Sequence, residues 1–285
     1  MTMSIIDTHQ HLWIRSEREY AWITPEQGVL DADFSPADAA ADSIAAGITG
    51  TILVQAADTY EDTMYMVSAA AADPRVVGIV GWVPMDRPAE ARAALGLYAG
   101  NPIIRGVRAL THTYDDPDWL LRDEVGETLQ TLARLGLTLD LVVASPDGLA
   151  VVGDLAQRHA GLRIVVDHCG KPDIAAGAWE PWASMIAAVA DHPNVYVKLS
   201  GLNTASAPAW TAQDWQPYVD HVLECFTPAR VMMGSDWPVL LLAGDFATVW
   251  AAQRAVVSGL GLDEQADILW RTAERVYSLD LSSAR

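Results

Sequence analysis

The chain is nearly without cysteine: Cys169 and Cys225 are the only two in 285 residues. That excludes a disulfide framework and leaves none of the spacing of a cysteine zinc site, so both read as reduced, small, buried side chains. Positive charge is also scarce. Eighteen Lys and Arg stand against 37 Asp and Glu, a formal charge of −19, with no basic stripe to offset it. Such a surface repels phosphate backbones, so no nucleic acid partner is expected. No apolar run reaches the ~20 residues that span a bilayer, and Met1-Thr2-Met3-Ser4 lacks a basic segment followed by an apolar one. The expectation is a cytoplasmic protein with no membrane partner. A glycine-rich phosphate turn after the first strand is missing too, since His9-Gln10-His11-Leu12-Trp13 occupies its place.

What is present is a 51% apolar composition, ample for a large core, and a regular alternation. Strand-like runs at 5–11, 50–55, 76–82, 103–108, 138–143, 163–168, 195–199 and 230–236 are each followed by a helical stretch, and a last helix is expected over about 263–277. Short, nearly continuous apolar strands alternating with longer helices mark a parallel sheet covered by helices. Eight such units predict an α/β fold: a single-domain (β/α)8 TIM barrel over residues 1–285 with an additional C-terminal helix. Ser35-Pro36 reads as the start of one helix and Gly47 as its stop. The stretch 15–33, with Tyr20-Ala21-Trp22-Ile23, has no helical period and reads as a functional loop.

In such barrels chemistry sits at the carboxyl ends of the strands. There the chain supplies His9 and His11, Gln55, Trp82, Arg108, Asp140, His168 with Lys171, Lys198 with Ser200, and Asp236 with Trp237. Packing alone does not select so many polar groups for one rim, because a buried unpaired charge costs several kcal/mol. Side chains at i and i+2 of an extended segment share a face, so His9 and His11 point the same way. With His168 and Asp236 they could hold one Zn2+-like ion, the carboxylate doubling as base for an attacking water.

The other candidates carry milder readings. Gln55 is expected on substrate, Asp140 on substrate or, in preference, on Arg108 or a histidine that it orients, and Ser200 in a hydrogen bond, because no Gly-x-Ser-x-Gly elbow surrounds it. Cys169, extended beside His168, should point away from it and pack. His112 sits on a loop overhanging the site and joins the substrate-binding candidates, while His159, His192 and His221 fall on outer helices. Trp13, Trp22, Trp82 and Trp237 lie at strand ends or in the first loop, where an indole face could stack on a sugar ring.

Three motifs in this order, Asp-Thr-His-Gln-His at 7–11, Val-Asp-His-Cys-Gly-Lys-Pro at 166–172 and Gly-Ser-Asp-Trp-Pro at 234–238, resemble the amidohydrolase superfamily. In detail the chain is similar to its lactone-hydrolase branch, the L-fuconolactonase-like and 2-pyrone-4,6-dicarboxylate lactonase-like enzymes. The resemblance implies opening of a small-molecule sugar lactone by an activated water. Asp236 would be the general base, His9 and His11 would position the water or bind a metal, and His168 would polarise the carbonyl or join the same ion. Arg108, Lys171 and Lys198 would orient the substrate. Arg108 stands where binuclear members carry a lysine, and the fifth strand ends without a histidine. Two alternatives stay open for the cofactor: one divalent ion, with Zn2+ foremost, or none. A metal-dependent decarboxylase of the same superfamily and a non-catalytic sugar-binding barrel stand as alternative functions. A homo-oligomer is compatible with the sequence.

Overall fold

The apolar runs form eight strands: β1 (Ile6–Gln10), β2 (Gly50–Val54), β3 (Val76–Gly81), β4 (Ile104–Leu110), β5 (Thr138–Val142), β6 (Ile164–Val166), β7 (Val195–Leu199) and β8 (Val231–Met233). They belong to a computed structural model that describes residues 4–111, 116, 118–143 and 145–281. The strands are parallel and hydrogen-bonded in sequence order. Beyond β8 the chain returns to β1: the amide of His11 donates to the Trp237 carbonyl at 2.7 Å, and that of Asp236 to the His9 carbonyl at 2.8 Å. The result is a (β/α)8 TIM barrel.

Helices α1 (Pro36–Ala45), α2 (Tyr60–Ala72), α3 (Pro88–Ala99), α4 (Asp123–Leu135), α5 (Pro146–Arg158), α6 (Trp182–Ala190), α7 (Ala212–Phe226) and α8 (Phe246–Val256) follow the successive strands. The start and stop of α1 are those expected. The Ser35 amide donates to the Asp38 carboxylate at 2.8 Å, and Gly47 turns the chain at φ 76°, a left-handed value that a side chain would oppose. The expected last helix is present in three pieces, α9 (Leu262–Ala266), a π-turn (Asp267–Arg271) and α10 (Thr272–Val276).

Two apolar layers hold the barrel. The larger lies between strands and helices and includes Leu53, Ile79, Val107, Leu139, Ile164 and Val197. The smaller fills the lumen with Ile6, Ile52, Val54, Val80, Val165 and Met232, and Ala273, Val276, Tyr277, Leu279 and Leu281 close its floor. The segment after α9 is thus a plug.

Strand alternation decides which residues reach the lumen. On β1 that alternation is interrupted. Its register against β2 shifts between Asp7 and Gln10, and the Asp7 carboxylate accepts from the amides of His9 at 3.1 Å and Ser235 at 2.7 Å. A bulge-like irregularity of this kind re-aims side chains. Ile6 and His9, three residues apart, therefore both end inside.

The 15–33 stretch is anchored by pairing of Trp13 with Phe34 and contains a short 3-10 helix, Pro25–Leu30. Among the described residues no helix is long and apolar enough to cross a membrane.

Candidate active site

β1 delivers His9 and His11 together. Nδ1 of His11 lies 2.8 Å from the Val54 carbonyl, which can only accept, so Nδ1 carries a proton and Nε2 is the ring nitrogen left to face the site. Nε2 of His9 stands 3.1 Å from it. Asp236, just past β8 with φ 62°, completes a triangle: its Oδ1 is 3.6 Å from Nε2 of His9 and 3.4 Å from Nε2 of His11. A tetrahedral ion with ligand bonds of about 2.0–2.1 Å sets its donors roughly 3.3 Å apart. The triangle matches that spacing. His9, His168 and Asp236 likewise bring one ligand atom each within 4.8 Å of one another. The residues fit one divalent ion.

His168 arrives by an unexpected route. β6 stops at Val166, Asp167 continues its inward face, and the next four residues, His168, Cys169, Gly170 and Lys171, are all left-handed, with φ of 55°, 53°, 68° and 51°. A non-glycine residue pays about 1–2 kcal/mol for that conformation, and such strain collects at functional sites. The turn carries His168 to the cavity, where Nδ1 is 2.9 Å from the Ser200 hydroxyl and 3.9 Å from Oδ2 of Asp236. Ser200 is the hydrogen-bonding residue expected. Cys169 packs as expected but for another reason: it is buried within this left-handed turn, not on an extended strand.

Burial sets the ionisation of the group. It lowers His9 well below the usual imidazole range, against the pull of Asp167, and brings His168 down to about 4, against Asp236. Both rings are neutral at neutral pH, as ligands must be. Burial opposes ionisation of Asp236 as well, but the facing histidines outweigh it and hold this carboxyl far below its ordinary value.

Beneath these residues lies a second layer, in which Asp167 is the residue that sequence reasoning missed. Asp167 Oδ1 faces Nδ1 of His9 at 3.3 Å and Nζ of Lys198 at 3.2 Å, and its Oδ2 faces Nε of Arg108 at 3.0 Å. The signal was available: counting by twos from inward Val165 reaches Asp167 and not His168. Lys198 is completely buried, with Nζ 2.6 Å from Asp140 and 3.2 Å from Nδ1 of His9.

Above the triad opens a cavity of about 480 Å3. His11, His168, Asp236, Arg108 and Lys171 give it polar walls, and Trp22, Leu110, Val142 and Val239 apolar ones. The Trp22 indole N–H donates to the Ala56 carbonyl at 2.7 Å, which fixes the ring over the opening.

Several expected substrate contacts are corrected. Lys198 and Asp140 lie below the cavity, too deep to touch a ligand, and Asp140 pairs with Lys198 and Tyr277 where Arg108 or a histidine was expected. Gln55 is fully buried and donates to Asp58 at 2.8 Å, because Ile52 and Val54 hold the inward phase of β2; its backbone carbonyl serves the site by accepting from Arg108 at 3.1 Å. Trp82 packs against Tyr60 with ring centres 5.2 Å apart, and Trp237 is buried edge-on against Phe34 at 5.3 Å, so neither faces the cavity. His112 lies outside the described residues.

A (β/α)8 barrel that presents a His-x-His pair from its first strand and an aspartate just past its last, over one lumen cavity, is the architecture of metal-competent hydrolytic barrel enzymes. The chain belongs to the amidohydrolase family, whose sequence profile matches residues 6–279. It is 34% identical to an L-fucono-1,5-lactonase of Burkholderia ambifaria over 98% of this chain and 97% of the relative. Identity to an L-fucono-1,5-lactonase of Burkholderia multivorans is 29%, over 96% of each. The crystal structure of an amidohydrolase from Burkholderia multivorans with bound zinc superposes with a TM-score of 0.89 at 29% identity, covering 97% of this chain and 100% of that one.

Proposed function

We propose that this enzyme hydrolyses the ring ester of an aldono-lactone to the free acid, with L-fucono-1,5-lactone, the compound in the names of two relatives, as the first substrate to test. The observation that carries the reading is the ionised Asp236 carboxylate, 3.4–3.6 Å from two imidazole nitrogens and open to a cavity with cationic walls. His9, His11 and Asp236, with His168 beside them, would hold one zinc ion. When bound, zinc supplies positive charge that polarises an ester carbonyl and acidifies water.

The protein's own groups do the rest. Asp236 takes the proton of the attacking water as general base. Arg108 is aimed by Asp167 and the Gln55 carbonyl, so its guanidinium faces the carbonyl oxygen as charge builds there. Lys171 on the rim favours the carboxylate product as it forms, and Trp22 offers an apolar face to the ring. A lactone is an activated ester, so one base and a few aimed donors suffice.

Hydrolysis of a panel of aldono-1,5- and 1,4-lactones, followed with a pH indicator, tests the reading with wild type, Asp236→Asn and chelator-treated enzyme side by side. Turnover that falls about 10^3-fold or more in Asp236→Asn, and that chelation removes and Zn2+ restores, is the expected result. Wild-type enzyme that opens no lactone overturns it.

A further inference from the structure

We propose that Tyr277, on the segment that plugs the barrel floor, is a positioning residue for His9, acting through Asp140 and Lys198. The hydroxyl of Tyr277 donates to Oδ2 of Asp140 at 2.6 Å, and the same oxygen receives Nζ of Lys198 at 2.6 Å. Thr138 donates to the other oxygen at 3.0 Å. Above, Lys198 approaches Nδ1 of His9 at 3.2 Å and Oδ1 of Asp167 at 3.2 Å. The bond to Asp140 anchors the ammonium, which then stands within ion-pair distance of Asp167 and beside Nδ1 of His9. The column runs unbroken from the floor to the first histidine.

Nδ1 of His9 therefore stands between a donor, Lys198, and an acceptor, Asp167, at 3.2 and 3.3 Å. Which of them it bonds decides whether Nε2 carries a proton or a lone pair toward His11 and Asp236. Asp140 holds Lys198 at the height where both bonds are available, and Tyr277 and Thr138 hold Asp140. Partners of this kind fix the tautomer and orientation of a ligand histidine, and losing one typically costs 10–100-fold in metal affinity or activity. Burial and the adjacent Asp140 keep the phenol well above its ordinary pKa, so it remains a donor. Its ring sits in the floor cluster with Val276 and Leu279, so packing and hydroxyl can be separated.

The test compares Tyr277→Phe, which keeps the ring, with Val276→Ala, which thins the same plug and leaves the hydroxyl. Tyr277→Phe is expected to lower kcat on the lactone about 10-fold with KM unchanged, and to weaken Zn2+ binding about 10-fold in competition with a chromophoric chelator. Val276→Ala is expected to lower Tm with kcat and zinc affinity as in wild type. Tyr277→Phe with wild-type kcat and zinc affinity overturns the proposal, and so does Val276→Ala reproducing both losses. The kcat arm rests on the lactonase reading; the zinc titration does not. If wild type opens no lactone and Tyr277→Phe still weakens zinc, the positioning role stands and the lactonase reading falls.

Discussion

A β-carbon on Gly201 would stand 2.7 Å from Nδ1 of His168, closer than real side chains approach. It would also lie 3.2 Å from Oδ2 of Asp236, and the glycine's own φ is +64°. The backbone after β7 is therefore the wall against which His168 rests. Gly201→Ala is expected to push His168 off Ser200 and to cost about 10^2-fold in kcat, as small displacements of reacting groups do. Circular dichroism should remain that of wild type. Wild-type kcat in this variant would mean that His168 need not hold its place.

Lys198 neutralises two buried carboxylates, so its loss is a stability event before it is a catalytic one. Lys198→Met leaves Asp140 and Asp167 without their shared cation, an arrangement that costs about 3–5 kcal/mol. Denaturant unfolding should show that loss as a lower midpoint at unchanged slope. An unchanged midpoint would mean that the column contributes nothing to folding.

Trp22 is expected to act on binding alone. It lies at the cavity wall, away from the Asp236 triangle, and offers a flat apolar surface. Trp22→Ala should raise KM about 3–10-fold with little change in kcat, the signature of an interaction shared by ground and transition states. Trp22→Phe should recover most of the difference. A KM equal to that of wild type in Trp22→Ala removes the stacking role.

Acid should stabilise one corner of the fold. Asp62 is buried in the first turn of α2, accepting from the Ala56 amide at 2.9 Å, and burial raises its pKa to about 6. Because the folded state holds this proton more tightly than the unfolded chain, stability is greatest below the unfolded value and falls as pH rises through 6. The full contribution is on the order of 3 kcal/mol, at about 1.4 kcal/mol per pKa unit. Asp62→Asn cannot titrate, so its Tm relative to wild type should climb between pH 4 and pH 7. Asp7 and Asp58 are raised to about 6 in the same way, so only the difference between the two proteins isolates Asp62. Parallel Tm curves would rule the effect out.

The barrel was legible because it is written as a local pattern: eight apolar runs, each followed by a helical one. Strand ends pointed to the cavity that His11, Arg108 and Asp236 line. Phase gives the face a residue points to and says nothing of its depth, which is why Lys198 was placed on the substrate when it lies beneath it. Gln55 failed on phase itself, one position out of step with Val54. His168 reaches the cavity by a route the sequence does not show, since four successive left-handed residues leave no propensity signal when three of them are not glycine. Tyr277 had no signal at all: its partner Asp140 lies 137 residues away.

The seam between β1 and β8 also sets when this enzyme can first exist. The bond from the Asp236 amide to the His9 carbonyl holds His9 and Asp236 together, and Tyr277 helps to close the floor. A ribosome that has just translated β7 has made every strand but the last, both histidines of the pair, and no site. Folds dominated by pairings this distant in sequence fold slowly. A chain cut short on either side of the seam lacks one member of the His9–Asp236 pair.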